Sequence, residues 1–456
     1  MPEVLSQFSA RPFHRQKAHL MLYALRARAK DSRVTLVELG SYQELSKYSD
    51  LKTAISPSTR PMLEIAQSFG LELKPIRGFC SSRQDWDDYA TGKKLKLEDF
   101  YRQSRKRLGV LMDGPDPAGG AWNFDSENRL PPPKEGLAIS GPWEPVEDEL
   151  DAEVRQVLDE LEAQGVQFLG VDGPRRFPAT QAEANEALRH FIDNRLDLFG
   201  PYEDAMDSRN WAMSHSLLSV PMNMGLLDPL VAVREAEAAY RAGKARLSSV
   251  EGFIRQIVGW RDYVFHLYWH FPADYIDSNF LEAEAKPHHW LTELDSDEVE
   301  ARCLSDSLTS VRDYGWAHHI QRLMVLGNHS LQRSYDPRKM NDWFVDAFVD
   351  GTEWVMPANV VGMTLYADGG AMSTKPYAAG GAYINRMSNY CGDCPFDPKK
   401  RTGEDACPFT AGYWNFMSKN QERLKGNFRM SNAMASLKRL NDIDEVVSQE
   451  MHRSRF

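Results

Sequence analysis

Between residues 11 and 30, Leu20, Leu22 and Leu25 recur among Arg and Lys with the period of an amphipathic helix, and Arg33 to Leu39 (R-V-T-L-V-E-L) reads as a short strand. Residues 58–69 return to a helical period, and Leu71 to Ile76 reads as a second strand. Helix, strand, helix, strand predicts half of a parallel α/β sheet. A buried apolar strand ordinarily opens such a domain. Here the first helix follows Met1 almost at once, so the opening strands are expected to be absent. Asp113 to Pro133 is loop-like, with D-G-P-D-P-A-G-G and P-P-P around W-N-F-D-S-E-N-R, and a linker then runs to about Pro178. From Thr180 to about Trp354 the pattern is helical almost without a break, with turn signals at Pro221, Pro272 and Pro337. The expected architecture is an α/β domain over residues 1–113, a connector over 114–179 and a large all-α domain over 180–456, with no internal repeat.

The chain has 456 residues, 42% hydrophobic and 26% charged, which is the composition of a soluble protein of two or three domains. No apolar run approaches the ~18 residues of a membrane span, and the first residues carry no signal pattern, so a cytoplasmic protein is expected. The net charge of −11 argues against indiscriminate nucleic-acid binding, but its distribution is uneven. Glu144 to Glu162 holds nine acidic residues and one basic, whereas Pro398 to Asn441 holds nine basic and three acidic. The basic stretch fits either a solvated helical surface or a footprint for phosphates.

Candidate chemistry concentrates in Cys391 to Pro408 (C-G-D-C-P-F-D-P-K-K-R-T-G-E-D-A-C-P), where Cys391, Cys394 and Cys407 lie close in sequence and Cys303 lies far upstream. In a reducing compartment disulfides are disfavoured, and four thiolates can tie two distant segments through a metal centre. Structural zinc usually takes two C-x2-C pairs, whereas an iron–sulfur cluster tolerates irregular spacing; the pattern leans to the cluster and leaves zinc open. Cys80 reads as a buried thiol. Ser214 to Ser219 (S-H-S-L-L-S) is either a helix cap or a phosphate cradle. Glu251 to Tyr263 interleaves Arg255, Gln256, Trp260 and Arg261 on one helix, as an ordinary amphipathic surface or a wall for a large heterocycle would. His318 and His319 point roughly 100° apart on a helix and so do not chelate one metal; one can pack while the other serves as a proton donor. The glycine-rich run with Asp368 and Lys375 is an ordinary turn or a close approach to ligand, and Trp343, Trp354, Tyr377 and Tyr383 supply aromatic lining.

Taken together, W-N-F-D-S-E-N-R, H-S-L-L-S, V-E-G-F-I-R-Q-I-V-G-W-R-D-Y, D-Y-I-D-S-N-F, A-H-H-I-Q-R-L-M, P-A-N-V-V-G-M, Y-A-D-G-G, T-K-P-Y-A-A-G-G-A-Y-I-N-R-M-S and the cysteine loop carry a resemblance over about residues 10–440. The chain resembles the prokaryotic, iron–sulfur photolyase/cryptochrome group, the deoxyribodipyrimidine photolyase-related proteins and (6-4) photolyases.

The resemblance implies FAD in the helical domain, with His215, Ser216, Leu217, Leu218 and Ser219 at its phosphates and Gln256, Arg261 and Asn359 in the same cavity. It implies a [4Fe-4S] cluster on Cys303, Cys391, Cys394 and Cys407, and electron transfer through Trp290 and Trp343, with Phe344 where some relatives carry tyrosine. It implies that His318, His319, Tyr377 and Tyr383 stand at a flipped-out (6-4) lesion of UV-damaged DNA, repaired by light-driven electron transfer from reduced flavin. A lumazine antenna is also implied, packed on the strands expected to be absent here, with Gln7 where a relative has Glu. The proline of Met356-Pro357-Ala358-Asn359 is displaced by one position, which leaves the flavin N5 partner unassigned. The expected protein is a monomeric DNA photolyase; the alternatives are a blue-light photoreceptor of the same fold and a zinc-stabilised DNA-binding module.

Overall fold

The structure, a computed structural model, describes residues 1–456 except 32, 49 and 93. Its N-terminal part departs from the expected sheet in two ways. First, an opening strand is present: Pro2–Val4 pairs in parallel with Val37–Leu39, in the register Pro2 to Val37. Three residues are too few for an alternating pattern to show in sequence. The strand is fastened by its buried Glu3, whose carboxylate accepts two bonds from Arg26 of the following helix, at 3.0 and 2.7 Å. Second, the expected strand at Leu71–Ile76 is Glu72–Lys74, and its parallel neighbour is Thr53–Ile55. Among the described residues these are two separate two-stranded parallel pairs, with helix Arg60–Ser68 crossing over in the second.

The acidic stretch is not a loose linker. Asp148 and Asp151 close a reciprocal cap on helix Glu149–Ala163, which packs along helix Arg15–Ala29. Opposite charges meet there: Asp151 receives Arg175 at 2.8 Å and His19 at 2.9 Å, and Arg15 pairs with Glu162 at 2.5 Å. Asp151, Asp159 and Glu162 of this stretch thus complement Arg15 and His19 of helix Arg15–Ala29. The W-N-F-D-S-E-N-R loop is also docked, with Phe124 N–H donating to Glu251 at 3.2 Å and the Asn128 amide to Ser248 O at 3.2 Å.

Beyond residue 180 the chain is helical, and its largest hydrophobic cluster gathers Trp290, Cys303, Leu308, Met324, Trp343 and Phe409 among others. Three helices widen to π geometry, at Arg255–Arg261, Gln321–Gly327 and Pro357–Thr364. Such widenings are rare and frequent at functional sites. Two of them meet at Gly327, where a Cβ would lie 2.1 Å from Thr364 Cγ2, so only glycine fits. Among the described residues no helix is long and apolar enough to cross a membrane.

The N-terminus of helix Arg15–Ala29 is buried against the ends of two helices of the all-α body. His14 N–H donates to Asp346 O at 2.9 Å, its Nδ1 accepts from Gln16 N–H at 3.1 Å, and its Nε2 contacts Arg312 O at 3.1 Å. Lys17 Nζ donates to Val345 O at 2.6 Å and Gly351 O at 2.7 Å. One His14 nitrogen must accept while the other donates, so only the neutral ring fits. Burial pushes its pKa down to about 4. The unfolded chain therefore binds a proton that the folded chain refuses between about pH 6.5 and 4, and His14 costs stability as pH falls through that window. His14→Asn keeps a capping side chain without the titration. Between pH 7 and 4.5 the native protein should lose about 2–3 kcal/mol more stability than this variant in urea unfolding; equal losses would refute the linkage.

Candidate functional site

Two irregular segments, each just ahead of a helix, bring His215 and His318 face to face, with ring centroids 4.7 Å apart and planes 16° from parallel; His318 thus lies before the helix expected to carry it, which begins at His319. Burial pushes His215 down to about 3, helped by Arg195, and holds His318 well below its ordinary value, helped by His215. His319 is sunk deep in the body, yet its surface is open. That combination marks a side chain lining an internal chamber. Burial, then Arg322, pushes it down to about 4.

Arg322 sits three residues on and anchors this wall. Its guanidinium grips Asp350 in a fork at 2.8 and 3.2 Å, rests 4.2 Å above the Phe348 ring and donates to Ala317 O. Ser219 Oγ donates to the same carboxylate at 2.7 Å, and the Asn223 amide donates to Asp350 O at 3.1 Å. Asn223 Oδ1 in turn accepts from Arg261 at 3.3 Å. Arg261 lies against Phe79 and Trp354, donates to Gly78 O at 2.6 Å, and is held down to about 10 by burial. One polar network therefore joins the H-S-L-L-S stretch, Arg261 and the histidine helix. Its linking residues, Arg322, Asp350 and Asn223, were not singled out in the sequence. Arg322 lies inside A-H-H-I-Q-R-L-M and could have been suspected there; nothing local marks Asp350 or Asn223.

H-S-L-L-S itself is a tight turn rather than the start of a long helix. Ser216 Oγ accepts from Leu218 N–H at 3.3 Å, Leu217 sits at φ 61, Leu218 is buried, and helix Ser219–Asn223 is five residues long. Gln256 is exposed within the first π segment, and Asn359, half-buried within the third, donates to Val355 O at 2.8 Å. Tyr377 and Tyr383 gather on another side, near Asp125 and Asp204. Burial and then Asp204 push Tyr383 up to about 12, and Arg386 lies 5.7 Å from its ring. The His215 ring bonds the Glu203 backbone, which connects this side to the histidine pair. Burial pushes Glu203 up to about 8 and Asp204 to about 6, so Glu203 is largely protonated at neutral pH.

The two tryptophans occupy different ring clusters. Trp343 packs on Phe344 and Phe348 at 4.9 and 5.8 Å, and Phe348 carries Arg322, so Trp343 is two side-chain contacts from the chamber wall. Trp290 stacks on His288 at 5.6 Å, beside His329 and Phe456.

The four thiols line one small apolar pocket with Tyr390 and Phe396. Cys303 lies in the first turn of helix Arg302–Tyr314, and Cys407 caps helix Pro408–Lys419. Burial pushes the Cys303 thiol up, and the other three thiols add to the effect, as they can only at short range. Gly381 closes the wall, where a Cβ would lie 2.8 Å from Cys407 Sγ. Yet among the described residues no group of three or more His, Cys, Asp or Glu is spaced to hold a single metal ion. In the chamber, His215 Nε2, both ring nitrogens of His318 and Arg261 Nε are buried without a partner among the described residues. Buried polar groups are normally bonded, so these walls fit a large polar ligand.

A family model described as deoxyribodipyrimidine photo-lyase-related protein matches residues 56–177. A (6-4) photolyase of Agrobacterium fabrum (strain C58 / ATCC 33970) is 41% identical over 383 residues, covering 83% of this chain and 74% of that protein. In fold, the chain is similar to a bacterial class III photolyase from Agrobacterium tumefaciens, with a TM-score of 0.53, 15% identity and coverage of 96% of this chain and 88% of the other. It is likewise similar to a cryptochrome from Synechocystis sp. PCC6803, with a TM-score of 0.54, 12% identity and the same coverages. The shared fold, the identity running through most of the chain and the chamber residues agree: this chain belongs to the deoxyribodipyrimidine photolyase-related family of the photolyase/cryptochrome group.

Proposed function

We propose that this chain is a DNA photolyase that repairs (6-4) pyrimidine photoproducts by light. The observation that carries this is the chamber wall: His319 open to the interior beside the stacked His215–His318 pair, backed by the Arg322–Asp350 fork, in a chain 41% identical to a (6-4) photolyase. The chamber residues fit FAD, with the H-S-L-L-S turn, Gln256, Arg261 and Asn359 as its holders. When bound in reduced form, the flavin supplies an electron to the lesion under blue light. In this reading the all-α part beyond residue 180 houses the flavin, and the α/β part and connector buttress it.

The chain's own residues then have separable tasks. The Arg322–Asp350 pair keeps one buried cation and one buried anion mutually neutralised, so the wall is rigid without a net charge. His318, stacked on His215, is neutral at pH 7 and fixes the orientation of the helix that presents His319. His319 faces the chamber and serves as the proton donor. The phosphates of bound DNA oppose the field of Arg322 and favour its protonated form. Tyr383 and Tyr377 remain protonated, since burial raises both, and offer O–H donors to the extruded lesion. Cys303, Cys391, Cys394 and Cys407 hold a [4Fe-4S] cluster in this proposal, which ties the C-terminal basic stretch to helix Arg302–Tyr314.

The purified protein should be yellow-brown, with flavin bands and a broad blue shoulder; a colourless, zinc-containing protein would sink both cofactor assignments. Under blue light with reductant it should restore a (6-4)-containing oligonucleotide, and failure despite full flavin reduction would favour a photoreceptor. His319→Ala should lose repair by about 100-fold or more while keeping photoreduction. Native repair should rise as pH is lowered from 8 toward 6, because the protonated fraction of His319 grows; a flat profile would refute the donor role. Cys394→Ser should lose folding or cofactor retention before chemistry, and a soluble, flavin-loaded, repair-competent variant would count against a structural cluster.

A further inference from the structure

Phe428 is 83% exposed, yet it is not on a loose segment. Leu424 and Met430, on either side of it, are buried in the main core. Asn427 caps the short 3-10 turn Phe428–Met430 by accepting from Arg429 N–H at 3.0 Å. The turn is therefore fixed, and it holds the ring out in water. The Asn427 amide also donates to Thr374 O at 2.9 Å and Tyr366 Oη at 3.1 Å. These bonds fasten the turn to the glycine-rich loop that bears the exposed Lys375 and, two residues on, the exposed Tyr377.

The surroundings are cationic. From Lys419 to Arg439 there are six basic residues and one acidic. Within that stretch Arg423 is paired with Glu282, and Lys425 lies 3.5 Å from Glu422, whereas Arg429 is exposed beside the ring. A single exposed apolar side chain is ordinary on a protein surface. An aromatic ring fixed outward by a capped turn, flanked by cations and tied to a loop of the proposed lesion side, has the make-up of a base-stacking platform: cations for the phosphates, a flat apolar face for a base.

We propose that Phe428 stacks on a base of damaged duplex DNA that loses its neighbour when the lesion leaves the helix, while Arg429 and Lys375 hold flanking phosphates. The inference rests on the repair reading above and deepens it by naming a residue that discriminates damaged from intact DNA. In an intact duplex every base face is already covered, so the ring gains nothing there. Where the lesion has been extruded, one face is bare and the ring replaces the lost stacking.

The test uses full-length, flavin-loaded protein and short labelled duplexes with and without a central (6-4) photoproduct. Phe428→Ala should weaken binding to the lesion duplex about tenfold and leave binding to the intact duplex nearly unchanged. Phe428→Trp should retain lesion binding. Arg429→Gln should weaken both duplexes alike and make the salt dependence shallower by about one unit of slope. Since the Phe428 ring contributes almost nothing to the core, Phe428→Ala should fold and bind flavin as the native protein does. Native lesion affinity in a folded Phe428→Ala variant would overturn the inference, as would an equal loss on both duplexes. A native protein without any preference for the lesion duplex would instead refute the repair reading.

Discussion

The buried N-terminus of helix Arg15–Ala29 sets the frame for the chamber. Within two turns of chain, His14 and Lys17 complete backbone groups at Arg312, Val345, Asp346 and Gly351 that would otherwise be buried without partners. Gly351 can approach so closely because a Cβ there would lie 2.6 Å from Phe344 O and Val345 O. The residue beside it is Asp350. The carboxylate that receives Arg322 and Ser219 is therefore positioned by a lysine from the other end of the sequence. Burial pushes Lys17 down to about 8, so the contact stands near the limit of what a buried ammonium tolerates.

Apart from Arg261, which is bonded to backbone and amide oxygens, the chamber behind that frame holds little unpaired charge. Burial keeps His215, His318 and His319 neutral and keeps Glu203 largely protonated at pH 7, while Arg322 and Asp350 cancel one another. In a low-dielectric wall of this kind, a charge brought in by a ligand or by DNA acts on its neighbours with little competition. In the proposed mechanism, proton transfer from His319 then depends on what enters the chamber, which couples chemistry to substrate binding.

The charge pattern along the chain has a similar logic. Part of the acidic stretch around helix Glu149–Ala163 is paired with Arg15, His19 and Arg175, with Asp151 buried among them. The basic stretch at the other end remains mostly on the surface, so a chain of net charge −11 still presents a cationic face beside Phe428.

Much of this was legible in the sequence: the helical character beyond Thr180, the helices near residues 11–30 and 58–69, the thiol set, and the runs that carry the family resemblance. Periodicity and the spacing of chemically distinctive side chains are local properties, and a linear reading retains them. The tertiary structure alone decided the rest. Pro2–Val4 and Thr53–Ile55 become strands only because a partner three residues long lies alongside, and no pattern shows in so short a run. Trp290 and Trp343, alike in sequence, fall into different ring clusters. Asp350 and Asn223 have unremarkable local surroundings and matter only because folding places them beside Arg322 and Arg261, some 28 and 38 residues away in sequence. The sequence determined which chemical groups the chamber could use; packing decided which of them meet, and burial decided which of them carry charge.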